Sequence, residues 1–255
     1  MIWTNNLDPV ALNLGFWEVR WYGVFYAVAF LFAFLWLKIS AKKKLFDFSA
    51  RQIEDLIFGI IVGVIAGGRI GYFLFYNFDQ LFSLEVFQIW HGGMSFHGGL
   101  VGVLFAIFYF ARKFRKSFLE ISDAIVVPAA VGLFFGRLGN FVNSELVGRA
   151  TNLGRGVIFP NFDDTPRFPS QLLEATKNLG IAGILFFLFS RKVKTGISSF
   201  AFLFFYGVGR TAVEIFFREP LDGFIFGMPR GAFFSLPLIF VGLAGILWVK
   251  FSRRG

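Results

Sequence analysis

Seven long apolar stretches, separated by shorter polar connections, dominate the pattern of this chain. A helix needs about 20 mostly apolar residues to cross a bilayer. Each stretch therefore predicts a membrane-spanning helix, although the third stretch is short. The pattern predicts an all-α polytopic membrane protein with about seven transmembrane helices, near residues 17–38, 53–76, 97–111, 119–141, 171–189, 196–217 and 232–249.

The placement of basic residues predicts an orientation. Lysines and arginines cluster after the first, third, fifth and seventh predicted spans, as in Lys42–Lys44 and Arg112–Lys116. Cytoplasmic loops carry such an excess, so the N-terminus is expected outside and the C-terminus in the cytoplasm. The net charge of +9 is then a topology signal, and no nucleic-acid partner is expected.

The connections on the non-cytoplasmic side are the longer ones. Residues 77–96 include a glycine-rich stretch, and residues 143–169 are rich in Pro, Asn, Asp and Gly. We expect the second connection to form a small extracytoplasmic cap on a single membrane-embedded domain covering residues 1–255. Irregular backbone gathered on one side predicts that function lies on that side.

Composition narrows the chemistry. Only 16% of residues are charged, against roughly 25% in soluble domains. The chain has no cysteine and two histidines, His91 and His97. It therefore has no thiol nucleophile of its own and no thiolate metal site, and neither a metal nor a cofactor is expected.

Three arginines lie inside predicted spans, where ionisable groups are costly and indicate function. Arg69, Arg137 and Arg210 all fall in the outer half of the bilayer. Snorkelling explains one such arginine, but three at similar depth favour convergence on an anion such as phosphate. Lys177 lies near the outer end of its span, and we expect it to snorkel. Glu174 is interpreted as a first-turn residue of the helix that Ser170 caps.

The neighbours of these arginines sharpen the prediction. Arg137 and Asn140 are three apart in GRLGNF, hence on one helical face. Tyr206, Arg210 and Glu214 form a stripe at spacings of four. An internal ion pair between Arg210 and Glu214 explains that stripe equally well.

The segment WHGGMSFHGGLVG, residues 90–102, has too many glycines for a good helix. We interpret it as a loop or re-entrant turn that opens the third helix near His97. A helix N-terminus offers free N–H groups to an anion, and His97 there is a candidate general base. The alternative is a structural histidine bonded to a backbone carbonyl.

Two strings in the chain resemble known motifs. HGGMSFHGG followed by GRLGNFVNSELVGR is similar to the signature of the prolipoprotein diacylglyceryl transferase family of bacterial membrane enzymes. RWYG, GGRIGY, RFPSQLLE and YGVGRTAVEIFFREP extend the resemblance over essentially the whole chain. RFPSQLLE has Phe168 and Leu173 where His and Tyr occur in some members.

The resemblance implies His97, Arg137 and Arg210 as catalytic residues. Together with the arginines above, it also implies a phosphatidylglycerol-binding set of Arg137, Arg210, Arg69, Asn140, Tyr22, Tyr206, Glu145, Asn143 and Gly148.

The resemblance implies an activity and a location. Members move the diacylglyceryl group of phosphatidylglycerol to the lipobox cysteine thiol of a prolipoprotein, in the bacterial inner membrane. The expected partners are phosphatidylglycerol, prolipoprotein signal peptides with a lipobox cysteine, and membrane lipid. Two points stay open. The first is whether His97 or the positive field of the arginines activates the thiol. The second is the function itself, for which the alternatives are an anion transporter and a non-catalytic lipid-binding scaffold.

Overall fold

The computed structural model describes residues 2–15, 18–221 and 223–252, most of which are helical. Helices cover all seven predicted stretches. They are α1 (Trp21–Lys42), α2 (Ala50–Tyr76), α3 (Phe96–Phe114), α4 (Phe118–Val142), α5 (Ser170–Ser190), α6 (Ile197–Phe216), the short α7 (Arg230–Phe233) and α8 (Leu236–Phe251). The first helix begins at Trp21, later than predicted, because Glu18–Arg20 form a strand.

Six helical stretches in the described part of the chain are long and apolar enough to cross a membrane: α1, α2, α4, α5, α6 and Arg230–Phe251, which includes α7 and α8. Helix α3 is not among them, and its last turn carries Arg112 and Lys113. The predicted class, an all-α polytopic membrane protein, is confirmed. A seventh crossing by α3 stays a prediction.

Short strands decorate the connections. They are β1 (Ile2–Thr4), β2 (Val10–Asn13), β3 (Glu18–Arg20), β4 (Gly156–Phe159), β5 (Asp163–Arg167), β6 (Phe224–Ile225) and β7 (Met228–Pro229). Strand β4 lies between β1, which runs parallel to it, and the antiparallel β5, while β2–β3 and β6–β7 form two antiparallel pairs. The sequence pattern did not predict these strands, because two to five residues are too few for a period of two to be recognised.

The chain divides into two compact units, residues 1–32 with 125–255 (the larger unit) and residues 33–124 (the smaller unit). The expected single domain over residues 1–255 stays a prediction.

In the smaller unit, α2 and α3 pack through glycines. A Cβ on Gly67 would lie 2.4 Å from the carbonyl oxygen of Gly98, and one on Gly71 would lie 2.6 Å from the Cα of Gly98. A Cβ on Gly63 would lie 2.6 Å from the carbonyl oxygen of Gly102. Small residues at this repeat let two membrane helices approach backbone to backbone, so larger side chains along this seam would force the helices apart.

In the larger unit, a buried cluster fixes the end of α4 against the strands. Phe141, Val147, Val157 and Phe159 are all buried, and the rings of Phe141 and Phe159 meet edge to face at 5.9 Å. Helix α6 packs against α5 and α8. Helices α4, α5 and α6 of this unit carry the charged residues described next.

Candidate active site

The last turns of α4 start a chain of polar contacts. The Arg137 Nη1 donates to Asn140 Oδ1 at 3.1 Å, and Asn140 Nδ2 donates to Glu145 Oε2 at 2.8 Å. Asn143 Nδ2 donates to Glu145 Oε1 at 3.1 Å. Arg137 and Asn140 share one helical face, as predicted, and the hydrogen bond between them fixes one edge of the Arg137 guanidinium.

A buried carboxylate on α5 gathers three cations. Oε2 of Glu174 lies 3.3 Å from Arg137 Nε, 3.2 Å from Lys177 Nζ and 3.5 Å from Arg210 Nη1. The Glu174 side chain is only 2% exposed. The structure therefore brings Arg137 of α4 and Arg210 of α6 to one point, as the sequence predicted for two of its three arginines. We name Glu174, Arg137, Lys177 and Arg210 the carboxylate cluster.

The predicted stripe on α6 is also a chain of ion pairs. Arg210 Nη2 lies 2.6 Å from Glu214 Oε1, and Arg218 Nη1 lies 3.2 Å from the same oxygen. Gly231 leaves room for Glu214, because a Cβ there would lie 2.5 Å from the carboxylate carbon. Burial lowers the pKa of Arg218 to about 10, so this residue remains a cation at neutral pH. Arg210 therefore makes its internal pair and still reaches Glu174.

Two tyrosines border these groups. A Cβ on Gly139 would lie 2.5 Å from the Tyr22 ring, so the tyrosine packs directly on α4 at Gly139, which lies between Arg137 and Asn140 in the chain. The ring of Tyr206 lies 4.3 Å below Lys177 Nζ, a cation–π distance. Both tyrosines of the predicted site lie in the larger unit, next to its charged residues.

Gly148 is enclosed by backbone. A Cβ there would lie 2.1 Å from the Phe168 carbonyl oxygen and 2.8 Å from the Phe217 carbonyl oxygen. The backbone of Gly148 pairs with that of Arg218 as an isolated β-bridge, and its carbonyl accepts from Arg167 Nη1 at 2.9 Å. Only glycine fits at this crossing, which joins the end of α6 to the cap segment.

Arg167 joins the segment that is expected to form the cap to the chain that follows α6. Its Nη2 lies 2.5 Å from Asp163 Oδ2 and its Nη1 lies 3.0 Å from Glu219 Oε2. The adjacent guanidinium holds the pKa of Asp163 below its ordinary value, and the Asp163 and Glu219 carboxylates raise the pKa of Arg167. This pairing stabilises the cap next to Gly148.

Arg69 has a different environment, in the smaller unit. Its side chain is 4% exposed, and its guanidinium faces the connection between α2 and α3. The five hydrogen bonds it donates all end on backbone carbonyls, those of Glu85, Val86, Gln88, Gly92 and Gly93. A guanidinium has five N–H donors, so a headgroup contact by Arg69 would require it to release a carbonyl.

His97 is the second residue of α3, near the predicted start of that helix. The glycine-rich segment is helical from Phe96 onward, so the expectation of a loop or re-entrant turn over residues 90–102 is wrong for residues 96–102, where the glycines pack against α2. Ser95 caps the helix by accepting from the Gly98 N–H at 3.2 Å, and His97 itself is exposed. His97 and Arg69 belong to the smaller unit, whereas Arg137 and Arg210 belong to the larger unit. Joint action of His97 with Arg137 and Arg210 stays a prediction.

Sequence reasoning missed the contacts of three residues, Lys177, Ser170 and Glu174. Lys177 does not snorkel, since its side chain is 13% exposed and its amine contacts Glu174. Ser170 does not cap α5; Pro169 is the cap residue, and the Ser170 hydroxyl donates to the Leu146 carbonyl oxygen at 2.8 Å. The rule that charges inside spans mark function, applied to Glu174 as it was to the arginines, would have found the carboxylate cluster.

These features define a multi-pass membrane protein with a buried cluster of arginines and carboxylates where α4, α5 and α6 meet. The family model described as prolipoprotein diacylglyceryl transferase matches residues 9–248. The chain belongs to this family, and it is a transferase.

Named relatives agree over nearly full length. The chain is 43% identical to the phosphatidylglycerol–prolipoprotein diacylglyceryl transferase of Pseudoalteromonas atlantica, over 95% of this chain and 89% of that protein. It is 41% identical to the protein of that name from Coxiella burnetii, over 97% of each chain. The corresponding Legionella pneumophila protein is 40% identical over 98% of each chain.

Proposed function

We propose that this chain transfers the diacylglyceryl group of phosphatidylglycerol to the lipobox cysteine thiol of a prolipoprotein. The sulfur attacks the glyceryl carbon that bears the phosphate ester. The carbon–oxygen bond breaks with its electron pair on the phosphate oxygen, the thiol proton passes to a base or to water, and glycerol phosphate departs. The product is a thioether, in the first step of lipoprotein maturation.

One observation carries the placement of the phosphate. Arg137 and Arg210, on different helices, both lie within 3.5 Å of the same Glu174 oxygen. Two guanidinium groups on one point form a prepared site for an anionic oxygen. Because the charge of the leaving phosphate grows in the transition state, cations fixed there in advance lower the barrier.

The neighbouring residues position this pair. Asn140, Asn143 and Glu145 fix the Arg137 edge, while Tyr22 packs beside it and Tyr206 lies under Lys177. Gly148 allows the connection after α4 to pair closely with the chain at the end of α6. We assign Arg69 to holding the 85–93 backbone rather than to the phosphate.

The thiol belongs to the substrate, so an enzyme without cysteine is sufficient. A free thiol has a pKa of about 8.5, and either a base or a positive field increases its thiolate fraction. We assign His97 as the base, with the field of Arg137 and Arg210 as the alternative. The expected location is the bacterial inner membrane, with the N-terminus outside, the C-terminus in the cytoplasm and the site at outer-leaflet depth.

The test uses purified protein in detergent with phosphatidylglycerol and a synthetic lipobox peptide, followed by mass spectrometry. We expect a diacylglyceryl mass increment on the cysteine, lost in Arg137→Ala and kept in Arg191→Ala, whose side chain is exposed at the end of α5. An increment retained in Arg137→Ala would move the phosphate site elsewhere. No increment with the wild type would contradict the transfer itself and favour the scaffold or transporter.

A further inference from the structure

Lys177 is built into the contact between α5 and α6. Its stem lies against Gly209, where a Cβ would be 2.5 Å from Lys177 Cδ. Its amine lies over the Tyr206 ring and donates to Glu174 Oε2 at 3.2 Å. A side chain wedged in this way has a fixed partner, and that partner is the carboxylate at the centre of the cluster.

Glu174 lies where the proposed function needs a phosphate. Its Oε2 is the shared point of Arg137 and Arg210, so the carboxylate is a resident anion between the two phosphate ligands. Of the three cations, only Lys177 makes a hydrogen bond to it within the described residues. Glu174 Oε1 and Arg210 Nη1 are buried and make no hydrogen bond there. Arg137 and Arg210 contact the Glu174 carboxylate as longer ion pairs, at 3.3 and 3.5 Å, and each has a further partner, Asn140 and Glu214 respectively.

Exchange of the resident anion for a lipid phosphate has an electrostatic cost. If both arginines left Glu174 for the phosphate and no other cation stayed with it, a buried carboxylate without a partner would remain, which is strongly unfavourable. A cation that stays with Glu174 removes most of this cost. Lys177 is the cation that can stay, because it carries the hydrogen bond and its stem is anchored by α6.

We propose that Lys177 is a positioning residue for the transfer: it keeps Glu174 paired, so that Arg137 and Arg210 exchange this carboxylate for the phosphate of the substrate. This inference rests on the proposed function. It assigns Glu174 as a built-in competitor of the phosphate and Lys177 as the residue that weakens this competition.

The inference predicts opposite effects of two substitutions on the KM for phosphatidylglycerol. In Lys177→Met the carboxylate keeps the arginines, and we expect KM to rise roughly tenfold. In Glu174→Gln the competitor is gone, so KM falls. The dianionic glycerol phosphate then leaves more slowly, so kcat falls as well. In the double variant both side chains are neutral, so nothing competes with the phosphate for the arginines and no buried charge is left unpaired. KM therefore returns to within about threefold of the wild type.

The experiment measures KM and kcat for the four proteins in nanodiscs with graded phosphatidylglycerol and saturating lipobox peptide. Lys113→Met is the matched control, because Lys113 also donates to a carboxylate, Asp55 Oδ2, at 2.8 Å but lies in the smaller unit. Thermal unfolding of each variant accompanies the kinetics. A wild-type KM in Lys177→Met, or a raised KM that persists in the double variant, would overturn the inference.

Folding failure leaves the inference testable. If Lys177→Met does not fold, Glu174→Gln alone decides: a lowered KM with a lowered kcat supports the exchange, and an unchanged or raised KM overturns it. The wild-type reaction separates this result from the proposed function. A wild type that lipidates the peptide while the variants behave additively contradicts only the role of Lys177.

Discussion

Arg69 and Arg210 are both buried arginines on apolar helices, yet their surroundings differ. Arg69 donates to five backbone carbonyls of one connection. Arg210 lies between two carboxylates, and one of its terminal nitrogens makes no hydrogen bond in the described part of the chain. Sequence spacing treated the two residues alike, but only the second has donors to spare for a substrate.

The difference separates an arginine held by fixed backbone from an arginine paired with carboxylates. Carbonyls fixed by the chain cannot leave, and five hydrogen bonds occupy all five N–H donors of the Arg69 guanidinium. A carboxylate partner is itself a stand-in for an anion, and it can be exchanged. We therefore expect substitutions at Arg210 to change catalysis and substitutions at Arg69 to change stability.

The largest expected effect is on activity, in Arg210→Met. The variant removes one of the two cations that we propose as ligands of the leaving phosphate, and we expect kcat/KM to fall about 100- to 1,000-fold. Mass spectrometry of peptide lipidation over time measures this loss. Arg230→Met, an exposed position on α7, is the control and should keep its rate. Nearly wild-type turnover in Arg210→Met would show that Arg137 alone holds the phosphate.

The second prediction concerns stability, in Arg69→Lys. Lysine offers three donors from one atom and cannot serve five carbonyls spread along residues 85–93. We expect a loss of about 1–3 kcal/mol, from partly buried carbonyls left unpaired. Thermal unfolding and proteolytic cleavage within residues 77–93 report this loss. Arg112→Lys in the same unit is the control, since its guanidinium contacts only the Phe108 ring among the contacts described. Unaltered stability with lost lipidation would instead support a contact between Arg69 and the phosphatidylglycerol headgroup.

Much of this fold could be predicted from the sequence, because a bilayer imposes length and composition on each helix. The approximate bounds of the helices followed from that rule. So did the pairing of Arg137 with Asn140 and of Arg210 with Glu214, since spacings of three and four fix neighbours on one helix. Contacts within one helix are the part that sequence spacing specifies.

Contacts between helices are the part it does not specify. Nothing in the spacing of Glu174 indicates that it would meet residues of α4 and α6, and the carbonyl partners of Arg69 depend on the path of an irregular connection. Lys177 was expected to snorkel because a lysine near a helix end usually can. Gly209 lets it lie against α6 instead, which requires knowledge of the neighbouring helix.

The third prediction asks how the smaller unit contributes to the chemistry, through His97. If His97 is the base, His97→Gln should lower turnover roughly 10- to 100-fold and flatten its dependence on pH. The measurement is the lipidation rate as a function of pH at saturating phosphatidylglycerol. His91→Gln is the control, since His91 Nδ1 lies 2.8 Å from Glu85 Oε1 and has no assigned role. A rate and pH profile like the wild type would leave the arginines as the activating field.

The smallest expected effect is the pH dependence of cap stability, tested with Asp163→Asn. The pKa of Asp163 is lowered in the folded protein, first by its hydrogen bond to Arg167. The ionised carboxylate therefore stabilises the fold above its ordinary pKa of 3.8, and this contribution disappears as pH falls through the lowered folded value. Asp163→Asn should unfold at a lower temperature than the wild type at pH 7, and the two should converge as pH falls below the lowered folded pKa of Asp163. Because the pair is partly exposed, the difference should be small and should shrink further in high salt. A gap that is independent of pH would assign the effect to lost packing rather than to charge.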